Sequence, residues 1–115
     1  MPSLPYSPVV RAGDWLVTAG QIGLKDGAIV TGGLKAEVRQ AIANLADVLA
    51  TEGATLDHVV KTTVFLRHMP DYPLMNEVYA ECFGDHRPAR SAFAVVELPF
   101  GALVEIEAFA WVGSD

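Results

Sequence analysis

Apolar and polar positions recur along the chain with two periods, and the switches between them mark the elements. Leu34, Val38, Ala41, Ile42, Leu45, Val48 and Leu49 fall at helical spacing, with Lys35, Glu37, Arg39, Gln40 and Asp47 on the other side. Gly53 is a suitable stop for that helix. A second helical stripe, Leu74, Met75, Val78, Tyr79, Cys82 and Phe83, follows the proline-bearing start Met69-Pro70-Asp71-Tyr72-Pro73 and ends at Gly84. Asn76, Glu77 and Ala80 lie off that stripe. The pattern predicts helices of about 18 and 14 residues.

Between the helices the period drops to two. Residues 59–66 are β-branched and aromatic, and predict a strand. Residues 15–20 predict another, with Trp15, Val17 and Ala19 on one face and Leu16 and Thr18 on the other. Shorter strands are predicted at 9–11 and 28–30, and the last two at 90–97 and 103–112. Residues 1–8 are proline-rich, which favours an extended chain and holds Tyr6 in few conformations. The order β-β-β-α-β-α-β-β predicts an α/β fold: a mixed sheet with two helices packed on one face, in a single domain over residues 1–115. Several strands are apolar on both faces. Two helices cannot cover both, so part of the sheet is expected to meet another copy of the chain.

Composition narrows the function. The chain has 115 residues, 51% of them hydrophobic, and its mean hydropathy of +0.30 is too high for a disordered chain. Eight Lys and Arg against fourteen Asp and Glu leave a net charge of −6. That balance lacks the basic patch on which nucleic-acid binding depends. A single cysteine, Cys82, allows no internal disulfide and points to a reduced, cytoplasmic chain. The start MPSLPYSPVV has no basic region ahead of an apolar run, so no signal peptide is expected. No run approaches the ~18 apolar residues of a membrane span.

The candidate chemistry sits in the last two strands. Alternation from Leu103 to Trp111 puts Glu105 and Glu107 on one face with Leu103, Phe109 and Trp111. Carboxylates in an apolar strand need a partner, a route to water or a function, because an unpaired buried charge is costly. Arg90 opens a strand of small and apolar residues, where its planar fork could face a pocket and grip a carboxylate. An equally physical alternative is a structural Arg–Glu pair, with Glu105 itself as the partner. His58, His68 and His86 lie at no metal-ligand spacing. Cys82, on a helical stripe, reads as a buried small hydrophobe. Ser91 lacks a nucleophile elbow, and the glycines match neither a P-loop nor a dinucleotide fingerprint.

Several blocks together resemble the RidA (YjgF) family: Pro5-Tyr6-Ser7, Thr18-Ala19-Gly20-Gln21-Ile22, Val60-Lys61-Thr62-Thr63-Val64-Phe65, Asn76-Glu77-Val78-Tyr79, Pro88-Ala89-Arg90-Ser91 and Val104-Glu105-Ile106-Glu107-Ala108. The resemblance implies a chorismate-mutase-like fold of the bacillus type, packed as a homotrimer with clefts between subunits. It implies hydrolysis of small enamine or imine acids, such as 2-iminobutanoate and 2-iminopropanoate, to 2-keto acids and ammonia. No metal or organic cofactor and no nucleic-acid or membrane partner is implied. By the same resemblance Arg90 grips the substrate carboxylate and Glu105 stands near the attacking water. Tyr6, Gly20 and Asn76 line the cleft, and the backbone carbonyl of Ala92 could hold the water. Ala19 and Ala92 stand where serine and cysteine are common in the family, and Phe93 and Phe100 are bulkier than expected near the cleft. Two other readings remain: a non-catalytic member that binds a small carboxylate or a protein, and a deaminase for another catabolic enamine such as aminoacrylate or aminomuconate.

Overall fold

A computed structural model describes residues 4–114. Five strands form the main sheet in the order β1-β2-β7-β5-β6: β1 Val9–Ala12, β2 Trp15–Thr18, β5 Val59–Leu66, β6 Ala89–Ala94 and β7 Val104–Trp111. Only β5 and β6 run parallel, joined through α2 (Tyr72–Phe83), and every other pair is antiparallel. A separate ribbon pairs β3 (Leu24–Lys25) with β4 (Ala28–Ile29), just before α1 (Gly33–Ala50). The predicted mixed sheet with both helices on one face is therefore present.

The sheet buries one face. Leu16 and Thr18 of β2, Thr62, Val64 and Leu66 of β5, and Val104, Ile106, Ala108 and Ala110 of β7 are all buried. They pack with Val38, Ala41, Ile42, Leu45 and Leu49 of α1 and with Met75, Val78 and Phe83 of α2. The opposite face carries Val10, Trp15, Phe93, Phe109 and Trp111, all with substantial exposure. Trp15 is registered against Trp111 there, with ring centroids 5.1 Å apart. Phe65 and Phe93 meet edge to face at 5.3 Å. A large apolar side chain left in water forgoes roughly 1.5–3 kcal/mol of burial. An apolar face of this extent is the kind that a partner surface covers.

Several boundaries differ from the sequence pattern. The strand expected over 90–97 ends at Ala94; the Val95 amide still donates to Leu66, and the chain then turns away. The second helix has 12 residues, because Met69–Asp71 forms a separate 3-10 turn ahead of it. Leu24–Lys25 pairs with β4, a strand that the pattern did not predict. The strand expected over 15–20 ends at Thr18, whose hydroxyl accepts the Ala108 amide at 3.0 Å. Beyond it, Gln21 and Ile106 exchange backbone bonds at 2.8 and 2.9 Å. Leu74 is exposed, and Cys82 is only half-buried where a buried hydrophobe was expected.

Candidate functional site

Arg90 is paired with Thr62 across the parallel ladder, so its side chain leaves the sheet on the helix side. There α2 presents Tyr72, Met75, Asn76 and Tyr79 on one face, at helical spacing. Arg90 Nη2 donates to Asn76 Oδ1 at 2.6 Å and to Tyr72 Oη at 3.0 Å, and Nη1 lies 3.9 Å from Met75 Sδ. The guanidinium carbon sits 4.8 Å from the Tyr79 ring centroid and 5.4 Å from that of Tyr72. A buried 2.6 Å bond between the Thr62 and Tyr79 hydroxyls pins the Tyr79 ring. Burial pushes the Tyr79 phenol up, which outweighs the hydrogen bond from Thr62 and the nearby arginines.

Every one of these partners is neutral. Among the described residues the ion pairs are Arg11–Glu52, Lys35–Glu77 and Arg39–Glu81, and none involves Arg90. Arg90 is thus a half-buried cation, fixed in place and without a counter-ion among the described residues. It lines a groove of about 400 Å³ with Asn76, Tyr79, Ala80, Arg87 and Pro88. Arg87 is engaged elsewhere, donating to the carbonyls of Gly84 and His86 at the end of α2.

Glu105 stands on the other side of the sheet. It is registered against Phe65 on the open face, so the structural Arg90–Glu105 pair that the sequence allowed does not form. The carboxylate rests against Gly20: a Cβ at that position would lie 2.5 Å from Oε2 and 2.7 Å from Cδ. Glycine at 20 thus makes room for the acid. Glu105 lines a cavity of about 350 Å³ with Tyr6, Gly20, Gln21 and Phe100, and its remaining wall includes Leu4, Ile22, Leu24, Val48 and Pro99. Burial in these surroundings pushes the Glu105 carboxyl above the usual range, and the like charge of Glu107 pushes it the same way. Asn44 braces the far wall, donating to the carbonyls of Ile22 at 2.9 Å and Leu24 at 2.8 Å while accepting from Gln40.

The residues singled out from sequence therefore fall into two groups. Tyr6, Gly20 and Glu105 share one cavity; Asn76 and Arg90 share another. Ala92 lies half-buried against the core and its side chain lines neither. Phe100 lines the Glu105 cavity, whereas Phe93 stands on the open face against Phe65. Met75 and Tyr79 are core residues, as the helical stripe predicts; what the sequence does not show is that they also hold Arg90, together with Tyr72. Their only signal was position: with Asn76 they share the face of α2 that meets the edge strand.

Two of the histidines have structural duties. His86 Nε2 lies 2.6 Å from the Val59 carbonyl, and His58 Nδ1 accepts the Thr55 amide at 3.0 Å in a capping box. Among the described residues no three His, Cys, Asp or Glu side chains gather as a metal site would need. No helix there is long and apolar enough to cross a membrane.

Comparison with known proteins places this arrangement. The family described as Endoribonuclease L-PSP matches residues 1–112. A RutC family protein of Pyrococcus horikoshii is 47% identical over 109 residues, covering 93% of this chain and 86% of the relative. The 2-iminobutanoate/2-iminopropanoate deaminase of mouse is 42% identical over 111 residues, covering 95% of this chain and 82% of the relative. The crystal structure of RidA from an Antarctic Psychrobacter superposes with a TM-score of 0.91 at 31% identity, over 97% of this chain and 92% of that one. By sequence and by fold, the chain belongs to the Endoribonuclease L-PSP family, the family of RidA and YjgF.

Proposed function

We propose that the chain hydrolyses small 2-imino acids to 2-keto acids and ammonia, in clefts formed between copies of itself in a homotrimer. The observation that carries this reading is the Arg90 guanidinium, held among the described residues by neutral groups alone at the wall of a groove. A planar fork of this kind matches a carboxylate. The carboxyl of Glu105, held above the usual range by burial, supplies the second requirement, a group able to take and return a proton. The two groups occupy opposite faces of one sheet, so a site using both needs Arg90 and Asn76 from one copy and Glu105, Gly20 and Tyr6 from the next. The exposed aromatic face supports assembly of that kind. Relatives of mouse and human carry the name 2-iminobutanoate/2-iminopropanoate deaminase at 42% and 40% identity, which favours hydrolysis of 2-imino acids here, whatever their side chain.

The chemistry needs no more than these groups. Arg90 holds the substrate carboxylate, and Asn76 and Tyr72 hold Arg90. Glu105 accepts a proton from water as the water oxygen bonds to the imine carbon, and the nitrogen takes up that proton. The carbinolamine then collapses: its hydroxyl proton passes through Glu105 to the nitrogen, the C–N bond breaks, and the carbonyl forms. Both hydrogens of the water thus leave on ammonia. The Ala92 carbonyl, on the edge strand, is a second candidate to hold the water. The family description points to RNA instead, but a chain with a net charge of −6 offers little to a phosphate backbone.

The test is keto-acid release from an imine made in situ by an amino-acid oxidase, with semicarbazide trapping what is not hydrolysed. Native protein should outcompete the trap and Arg90→Ala should not. If native protein accelerates release from none of several imino acids, the deaminase reading fails for those substrates and the cleft is better treated as a binding site.

A further inference from the structure

We infer that Phe100 makes the Glu105 cavity selective for 2-imino acids with large apolar or aromatic side chains. The inference deepens the deaminase reading and takes its reaction from it.

Three observations converge on this residue. First, Phe100 adopts φ 61° and ψ 18° inside the turn Pro99–Gly101. It is one of two non-glycine residues with positive φ among those described, the other being Asp26 in a tight turn. A bulky side chain is strained in that region, and strained positions gather at ligand clamps. Second, the ring is not buried by its own chain: it is 70% exposed, so its packing in one copy does not offset the strain. Third, the ring lines the cavity that holds Glu105.

The rest of that cavity agrees. Leu4, Ile22, Leu24, Val48 and Pro99 add apolar surface around a single carboxylate. At about 350 Å³ the space falls within the range of small-molecule sites. A side chain of one or two carbons would touch little of this wall, whereas a phenyl or branched butyl group could reach Phe100. The polar end of the substrate has its holders elsewhere, at Arg90 and Asn76. What the cavity adds beyond the proton-transferring acid is apolar contact for the remainder of the molecule.

The experiment compares imines generated in situ from alanine, leucine and phenylalanine, using native protein, Phe100→Ala and Phe100→Gly. Glycine takes up φ 61° without strain, so it keeps the test valid should the alanine variant fold poorly. For native protein, kcat/KM for the phenyl imine should exceed that for 2-iminopropanoate by about ten-fold or more, the scale of hydrophobic pocket discrimination. Both variants should bring that ratio close to one. An unchanged ratio overturns the inference. So does a variant that lowers the oligomer mass in light scattering while the ratio holds, since Phe100 would then be a subunit contact. Calorimetry with phenylpyruvate and pyruvate separates this outcome from failure of the deaminase reading. If no imine is hydrolysed, tighter binding of phenylpyruvate that is lost in Phe100→Gly sustains the selectivity, and equal binding of the two overturns it.

Discussion

Arg90 and Glu105 extend from opposite faces of one sheet: Arg90 is registered against Thr62 on the helix side, and Glu105 against Phe65 on the open side. A small imino acid cannot reach both within one chain. Arg90→Ala and Glu105→Gln should each be inactive alone. Mixed during refolding in equal amounts, they should regain about one quarter of native specific activity, because a site that draws one residue from each neighbour is intact only when both neighbours are of the right kind. Absence of any recovery would place both groups in the same copy.

Gly20 controls where the acid points. Its backbone is not in the left-handed region, so alanine is tolerated there conformationally, but the new methyl would lie 2.5 Å from Glu105 Oε2. The carboxylate is the free end of a side chain and can swing aside. Gly20→Ala should therefore leave the melting temperature nearly unchanged and lower kcat by about 10²-fold, the scale of a lost proton-transfer group. A full-rate variant would remove Glu105 from the reaction.

Much of this arrangement was legible from periodicity alone. The α1 stripe and the alternation in β7 correctly assigned Val104, Ile106, Ala108 and Ala110 to one face and Glu105, Glu107, Phe109 and Trp111 to the other. Periodicity within β7 could not show which face of the sheet Arg90 shares, since that depends on the pairing of β5 with β6. For the same reason Tyr79 read as core: a residue 6% exposed can bury one edge of its ring and still offer a face to a guanidinium. The early end of β6 and the left-handed Phe100 arise from the return turn to β7, whose residues carry no periodic signal.

The Thr62–Tyr79 bond joins the core to the Arg90 shelf. Tyr79→Phe leaves the Thr62 hydroxyl, which is fully buried, without its partner. It should cost about 1–3 kcal/mol in urea unfolding. Adding Thr62→Val removes the orphaned group and should restore part of that loss. A double variant no more stable than Tyr79→Phe would mean that the orphaned Thr62 hydroxyl is not the source of the loss.

The raised Glu105 carboxyl gives opposite signs for stability and activity. Held above its usual value by burial and then by Glu107, it binds its proton more tightly in the folded chain than in the unfolded one, where the value is about 4.5. Rising pH between those two values therefore removes stability. Glu105→Gln deletes this titration, so the gain in melting temperature of the variant over native should be larger at pH 7 than at pH 4. Activity needs the ionised carboxylate as proton acceptor, so the acid limb of the native kcat/KM profile should lie above that of an ordinary glutamate. Glu107→Gln removes the second cause while leaving the burial, and should move that limb part of the way down without abolishing turnover. A limb that stays in place in Glu107→Gln would leave burial as the sole cause of the shift.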